Sequence, residues 1–146
     1  MVEVACVPVE DWHVDYVAKH MREADVAECM ALGGLTPRQA LEHSLALDGP
    51  RWCGTLDCEP AAIFGVVPVT VMGSTGVAWL LGTPLLLQHW RIFARRSKPL
   101  LAELLDRYDC LVNVVHVDNR VALRWLEWMG ASLVRQEARV FFELRK

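Results

Sequence analysis

The chain has 146 residues, of which 53% are hydrophobic, and its formal net charge is −3. A chain of this length and composition can bury a core without disulfides or metal ions, so a single domain over residues 1–146 is expected. The acidic balance argues against a general nucleic-acid-binding protein.

Cysteine usage and the lack of long apolar runs indicate where the protein is made. The five cysteines are an odd number and most lie in apolar segments, which indicates synthesis in a reducing cytosol. Cys53 and Cys58 are a close pair without a second pair of ligands, so no metal site is predicted. No leader of the signal-peptide type and no run of about eighteen apolar residues is found, so we expect neither a signal peptide nor a membrane span.

The first part of the chain predicts one strand followed by three helices. Valine-rich residues 2–9 form the strand, and apolar residues then recur at intervals of three and four. A break near Arg22 separates the first helix from the second, which ends at Gly33-Gly34. Thr36-Pro37 starts the third helix, as an N-cap followed by proline in the first turn.

The middle of the chain predicts three strands and a helical segment. The strands are residues 51–56, 61–71 and 77–82. Residues 83–107 are helical in character, and Pro99 either kinks one helix or opens a second one.

The segment from Tyr108 to Ala131 carries most of the functional information. Residues 111–117 are almost all aliphatic, which is typical of a central strand that is covered on both faces. Asp118 and Asn119 can cap a following helix, and Gly130 supplies the positive φ that ends it.

Two closing strands, residues 132–138 and 139–144, complete the predicted order. This order predicts an α+β fold, in which a mixed and mostly antiparallel sheet is flanked by helices. One parallel crossover is expected, through the helix before Tyr108.

The element order and several residues after Asp118 resemble the GNAT superfamily of acyl-CoA N-acyltransferases. The matching positions are Asn119, Ala122, Trp125, Leu126, Gly130 and Ala131. Leu126 stands where the family has a tyrosine that protonates the leaving CoA thiolate. The family's glycine-containing pyrophosphate loop has no counterpart, because residues 88–101 contain no glycine. The resemblance implies a single GNAT-like domain and, if catalysis is retained, acetyl-CoA or CoA as cofactor.

The position of GNAT active sites points to His116 and Asp118 as candidate catalytic residues. Both lie at the end of the predicted central strand, where either could relay a proton. A hydrogen-bonded core histidine is the alternative interpretation of His116.

The resemblance also implies a set of cofactor-binding residues. These are the backbone of Leu80, Leu81 and Gly82 for pantetheine, Arg95 and Arg96 for phosphate, Ser97 near the position of the family's second glycine, and Asn119 for the pantetheine arm. The alternatives are a solvated helix face for the arginines and a plain helix cap for Asn119.

A second resemblance extends over nearly the whole chain, to uncharacterised phage proteins related to the internal virion protein of short-tailed phages. It rests on Arg22 to Asp25 (READ), Thr36-Pro37, Pro60 to Gly65 (PAAIFG), Trp79 to Thr83 (WLLGT), Tyr108-Asp109 and Trp125-Leu126. The resemblance implies a bacteriophage protein located in the host cytoplasm, in the virion or in both.

Two functions stay open on this basis. In the first, the chain is a phage-encoded GNAT-fold protein that has lost catalysis and serves in the virion, its assembly or its ejection by binding phage or host proteins. In the alternative, it is an acetyl-CoA-dependent N-acetyltransferase that acts on an unidentified amine or protein.

Overall fold

The computed structural model describes residues 2–146, whose elements follow the predicted order. The strands are β1 Val4–Val7, β2 Arg51–Leu56, β3 Glu59–Pro68, β4 Thr75–Gly82, β5 Cys110–His116, β6 Ser132–Gln136 and β7 Arg139–Arg145. The helices are α1 Asp11–His20, α2 Glu23–Gly33, α3 Pro37–Ala46, α4 Pro84–Gln88, α5 Trp90–Arg107 and α6 Arg120–Trp128. Within this range, none of the helices combines the length and apolar character that a membrane crossing requires.

The strands form one sheet in the order β1-β2-β3-β4-β5-β7-β6. Each neighbouring pair is antiparallel except β4 and β5, which are parallel and connected through α4 and α5. The predicted α+β fold with a mostly antiparallel sheet is confirmed, and so is the single parallel crossover. The strand predicted at residues 111–117 is β5, which lies inside the sheet between β4 and β7.

Helices cover both faces of the sheet, and each face has its own apolar core. Helices α1, α2 and α3 contribute Val17, Cys29 and Leu41 to the first core. Helices α5 and α6 contribute Leu101 and Trp125 to the second. The three helices before β2 therefore pack on one face of the sheet, and the helices α5 and α6 pack on the other.

Local sequence signals set several helix boundaries as predicted. The Thr36 hydroxyl accepts a hydrogen bond from the Gln39 N–H at 3.2 Å, and the Gln39 side chain accepts one from the Thr36 N–H, so α3 begins with a capping box. Gly34 ends α2 with φ +64°, and Gly130 follows α6 with φ +90°. The Asn119 side chain caps α6.

The structure decides between the two alternatives that the sequence leaves open at Pro99. The helix α5 runs through Pro99 without a second start, and the break lies earlier, at His89, where φ is −122° and ψ is 30°. A proline removes one backbone donor from a helix interior. Leu101 and Leu104 are buried against the sheet, and their packing outweighs this local cost.

Strand ends also differ from the prediction by a few residues. The strand β3 ends at Pro68 rather than at residue 71, because proline has no N–H to continue the ladder. The strand β6 ends at Gln136, because Glu137 takes a positive φ of 56° in the turn to β7. The strand β1 spans only Val4–Val7, and β4 begins at Thr75.

The strands β4 and β5 diverge after a short parallel contact. Their register pairs are Thr75–Cys110, Gly76–Leu111 and Val77–Val112, and no further β4–β5 pair forms within residues 2–146. Both strands nevertheless continue, to Gly82 and to His116 respectively. We call the gap between residues 78–82 and residues 113–116 the fork.

The linker from α3 to β2 crosses β3 closely at Gly65. A Cβ at this position would lie 2.5 Å from the Pro50 carbonyl oxygen, a backbone atom with little freedom to move aside. The Gly65→Ala variant is therefore expected to lower the free energy of unfolding by about 1–3 kcal/mol in urea titrations. Gly33→Ala is the matched control, because its Cβ would meet only the Leu35 side chain at 3.5 Å. Equal stabilities of the two variants would contradict the close approach.

Candidate active site

Two hydrogen bonds at the end of β4 show which backbone groups of this strand face the fork. The Thr83 N–H donates to the Ala61 carbonyl oxygen of β3 at 2.8 Å. One residue earlier, the Gly82 N–H turns the other way and donates to Asp25 Oδ2 at 2.8 Å. Since the backbone groups of successive strand residues alternate in direction, the even-numbered residues of β4 face the fork and the odd-numbered ones face β3.

Asn113 closes the narrow end of the fork. Its Nδ2 donates to the Ala78 carbonyl oxygen at 2.7 Å and its Oδ1 accepts from the Val114 N–H at 2.7 Å, so one side chain bonds to both strands. Leu80 lies between Ala78 and Gly82, and the same alternation turns its N–H and C=O toward the gap. Leu80 therefore offers one backbone donor and one acceptor to a molecule in the fork.

A buried ion pair holds the start of α2 against the end of β4. Arg22 and Asp25 are 7% and 3% exposed, and their side chains meet at 2.7 Å (Nε to Oδ2) and 2.9 Å (Nη2 to Oδ1). Asp25 Oδ2 also accepts from the Gly82 N–H, and the Arg22 N–H donates to the Gly82 carbonyl oxygen at 2.9 Å. Both backbone groups of Gly82 are thus occupied within the chain.

Glu28 lies one turn further along α2 and reaches β5. Its Oε1 accepts from the His116 N–H at 3.2 Å, and its Oε2 accepts from Asn119 Nδ2 at 2.6 Å. Burial raises the pKa of the Glu28 carboxyl, and the two hydrogen bonds act in the opposite direction with a smaller effect. Asp25 and Glu28 therefore stand on the two sides of the wide end of the fork, one bound to each strand.

The predicted catalytic residues His116 and Asp118 lie at the end of β5, beside the wide end of the fork. His116 Nδ1 accepts from the Asp118 N–H at 3.2 Å and lies 3.7 Å from Asp118 Oδ2. The Asp118 side chain is 86% exposed, whereas Asn119 is buried and joins the α6 cap to Glu28. The structure brings His116 and Asn119 together with Glu28 and leaves Asp118 in solvent.

The residues predicted to contact pantetheine end β4. By the alternation described above, the backbone of Leu80 faces the fork and that of Leu81 faces β3. Gly82 faces the fork, but its N–H and C=O are already bonded to Asp25 and Arg22. Leu80 is the predicted residue whose backbone is placed to contact a molecule in the fork.

The residues predicted to bind phosphate lie on α5. Arg95 and Arg96 are exposed, whereas the Ser97 hydroxyl donates to the Ala94 carbonyl oxygen at 2.6 Å and accepts from Trp125 Nε1 at 3.2 Å. Ser97 therefore joins α5 to α6, while the two arginines are free to meet a ligand.

Helices α5 and α6 lie side by side on the sheet face opposite α2. Besides the Ser97–Trp125 contact, Lys98 Nζ lies 4.1 Å from the centre of the Trp128 ring. The helix α6 begins shortly after β5, and α5 follows β4 through the short helix α4. Their exposed arginines are Arg91, Arg95 and Arg96 of α5 with Arg120 and Arg124 of α6, and no carboxylate within residues 2–146 forms an ion pair with them. This side of the fork therefore favours anionic groups.

A shallow cavity of about 340 Å³ opens next to the end of β4. Its lining residues are Tyr16, His20, Met21, Glu59, Thr83, Pro84, Leu85 and Gln88. It contains no residue of β5 or α6, so it is separate from the fork. In the described part of the chain, no group of three or more His, Cys, Asp or Glu side chains is arranged to hold a metal ion.

The chain has the GNAT acetyltransferase fold. An acetyltransferase from Thermus thermophilus superposes with a TM-score of 0.71 at 15% identity, over 98% of this chain and 97% of that one. The ribosomal-protein-S18-alanine N-acetyltransferase from Escherichia coli gives 0.68 at 12%, over 99% and 94%. YncA from Salmonella typhimurium, solved with its cofactor acetyl-CoA, gives 0.59 at 13%, over 99% and 93%. No protein-family model and no curated protein matches the chain.

Sequence reasoning missed three polar residues of the fork, namely Asp25, Glu28 and Asn113. Asp25 and Glu28 are three residues apart on a helix that is otherwise largely apolar, and this spacing puts both on one face. Asn113 is a polar residue inside an aliphatic strand. A polar side chain at a position that packing should bury is the signal that could have found them.

The Arg22–Asp25 pair predicts a large difference between two carboxylate deletions. Asp25→Ala leaves the buried Arg22 guanidinium uncompensated, so a loss of about 3–5 kcal/mol in the free energy of unfolding is expected in urea titrations. Asp15→Ala is the control, because it removes the partner of Arg38 from an exposed ion pair and should change stability very little. Similar losses for the two variants would show that the buried pair does not hold α2 in place.

Proposed function

We propose that the chain is an acyl-CoA-dependent N-acyltransferase that transfers an acetyl group to an amine. The observation that carries this proposal is the fork, in which the free backbone N–H and C=O of Leu80 lie between two ends closed by side chains. A pantetheine arm contains amide groups that match one such donor and acceptor. Bound acetyl-CoA would supply an activated thioester carbonyl.

The arginines on α5 and α6 support the same proposal, because they are suited to bind the phosphate end of CoA. CoA carries several phosphate charges, and arginine is well suited to bind them. Arg95 lies three residues before Lys98, and Arg124 lies four residues before Trp128. Since Lys98 contacts the Trp128 ring, both arginines fall near the boundary between the two helices. They are the residues we expect to hold phosphate, with Arg91, Arg96 and Arg120 around them.

A second candidate function is the non-catalytic one, in which the chain binds phage or host proteins in the virion or during its assembly. Two observations favour it over catalysis. Leu126, which stands in place of the family's tyrosine, is 3% exposed and carries no proton to donate. The helix α5 is continuous from Trp90 to Arg107, so no glycine loop forms near Ser97.

Calorimetric titration with acetyl-CoA separates the two candidates. The acyltransferase proposal predicts binding, and Arg95→Gln and Arg124→Gln are each expected to raise the Kd by about tenfold through the loss of a phosphate contact. Arg107→Gln is the matched control, because it removes one exposed arginine from the far end of α5.

No heat and no thermal shift at millimolar acetyl-CoA would contradict the acyltransferase proposal. Recovery of the chain with purified phage particles would then favour the second candidate. Equal Kd values for Arg95→Gln and Arg107→Gln, with tight binding by all variants, would place the phosphates elsewhere.

A further inference from the structure

Asp25 and Glu28 reach the edge of the fork from the face opposite the arginines, and the Asp25 carboxylate is already occupied by Arg22 and the Gly82 N–H. Counting from the Val77–Val112 pair, Leu80 lies level with Val115, and the Glu28 carboxylate is bonded to the next residue, His116. One residue along a strand corresponds to roughly 3.3 Å. We propose that Glu28 is the general base that takes the proton from the acceptor's ammonium group. This inference rests on the proposed N-acyltransferase function.

The hydrogen bonds of Glu28 hold its carboxylate in place and leave room for a third partner. Each oxygen accepts one bond, from the His116 N–H and from Asn119 Nδ2. A carboxylate has about four acceptor sites, so each oxygen keeps a free lone pair. The side chain is only partly buried, so an ammonium group can approach it from solvent.

His116 is less suited to this role than its position in the sequence indicates. Its Nδ1 already accepts the Asp118 N–H, so the neutral ring carries its proton on Nε2 and has no free lone pair. Asp118 is 86% exposed, and its carboxylate is solvated away from the gap. Glu28 is the remaining acceptor that is bonded to the strand at the fork.

The surroundings of Glu28 raise the pKa of its carboxyl above the ordinary value. The titratable groups nearby are Arg22 and Asp25 before it, Cys29 after it, and His116 and Asp118 at the end of β5. Burial has the largest influence and raises the pKa of Glu28, with a smaller contribution in the same direction from Asp25. A carboxylate with a raised pKa binds a proton more strongly and is the better base. Transfer should therefore decline when the pH falls through this raised pKa.

The proposed step balances as follows for an acceptor R–NH₃⁺. The Glu28 carboxylate accepts one proton, and the neutral nitrogen forms a bond to the acyl carbon while the carbon–sulfur bond breaks. The second proton of the nitrogen passes to the departing thiolate, which becomes the free thiol of CoA. Glu28 then releases its proton to solvent. The products are the amide, the thiol and one proton.

The test compares Glu28→Gln with Glu23→Gln, which removes an exposed carboxylate from the same helix. The donor is acetyl-CoA, and the acceptors are a peptide with a free N-terminus, an N-acetylated peptide with one lysine, and spermidine. Release of the CoA thiol measures transfer between pH 5 and 9. We expect Glu28→Gln to lower kcat/KM by about 100-fold or more at pH 7 and to lose the acidic limb of the profile. Glu23→Gln should match the wild type.

A second readout uses the wild type alone, because the amide of Glu28→Gln would place a donor opposite one of the two N–H groups that bond to Glu28. Carbon-13 NMR titration follows the Glu28 carboxyl directly, assigned through its bonds to the Glu28 backbone. Its midpoint is expected to lie above that of an ordinary carboxyl group and to coincide with the acidic limb of kcat/KM. A carboxylate that only supports β5 would not produce this agreement.

The outcomes separate this inference from the function on which it rests. If the wild type binds and transfers acetyl groups but Glu28→Gln keeps more than half the activity, or the two midpoints disagree, Glu28 is not the base. If acetyl-CoA does not bind, or binds without transfer to any of the amines, the proposed function fails and this inference fails with it.

Discussion

A backbone N–H or C=O that leaves water without a hydrogen-bond partner destabilises a fold, and the divergence of β4 from β5 creates several such groups. Asn113 takes up two of them at the narrow end of the fork. Asp25 and Glu28 take up the N–H groups of Gly82 and His116 at the wide end. The fork is therefore a gap whose ends are held by side chains, and its middle is left open for another molecule.

The hydrogen bonds that satisfy these backbone groups also fix the position of the helix α2. The Arg22–Asp25 pair binds the start of α2 to β4, and Glu28 binds the next turn to β5. The helix thus spans the wide end on one face of the sheet, while the exposed arginines of α5 and α6 lie on the other. Donor and acceptor of an acyl transfer must meet in a defined orientation, and a gap with Glu28 on one face of the sheet and the arginines on the other allows them to arrive from different sides.

The sequence predicts the fold well because its signals are local. The aliphatic run of β5, the cap at Asn119 and the glycine after α6 each follow from a few neighbouring residues, and together they specify the second half of the sheet. Pro99 shows the limit of such signals, since long-range packing of α5 overrides a strong local preference. The site is harder to predict because its parts are far apart in the chain. Glu28 and His116 are separated by 88 residues, and no local pattern relates them.

Leu126 is the strongest sequence argument against catalysis, but that argument concerns only one of the two proton transfers. Its buried side chain has no proton to donate to the thiolate. Loss of a hydroxyl there removes one source of a proton for the thiolate. It does not remove the proton that the acceptor nitrogen itself must lose when the amide forms. A site with one well-placed base can complete the transfer without a separate acid, provided that the nitrogen and the sulfur are close when the carbon–sulfur bond breaks. Transfer without a tyrosine at position 126 therefore depends on how Glu28 and the fork position the reacting groups.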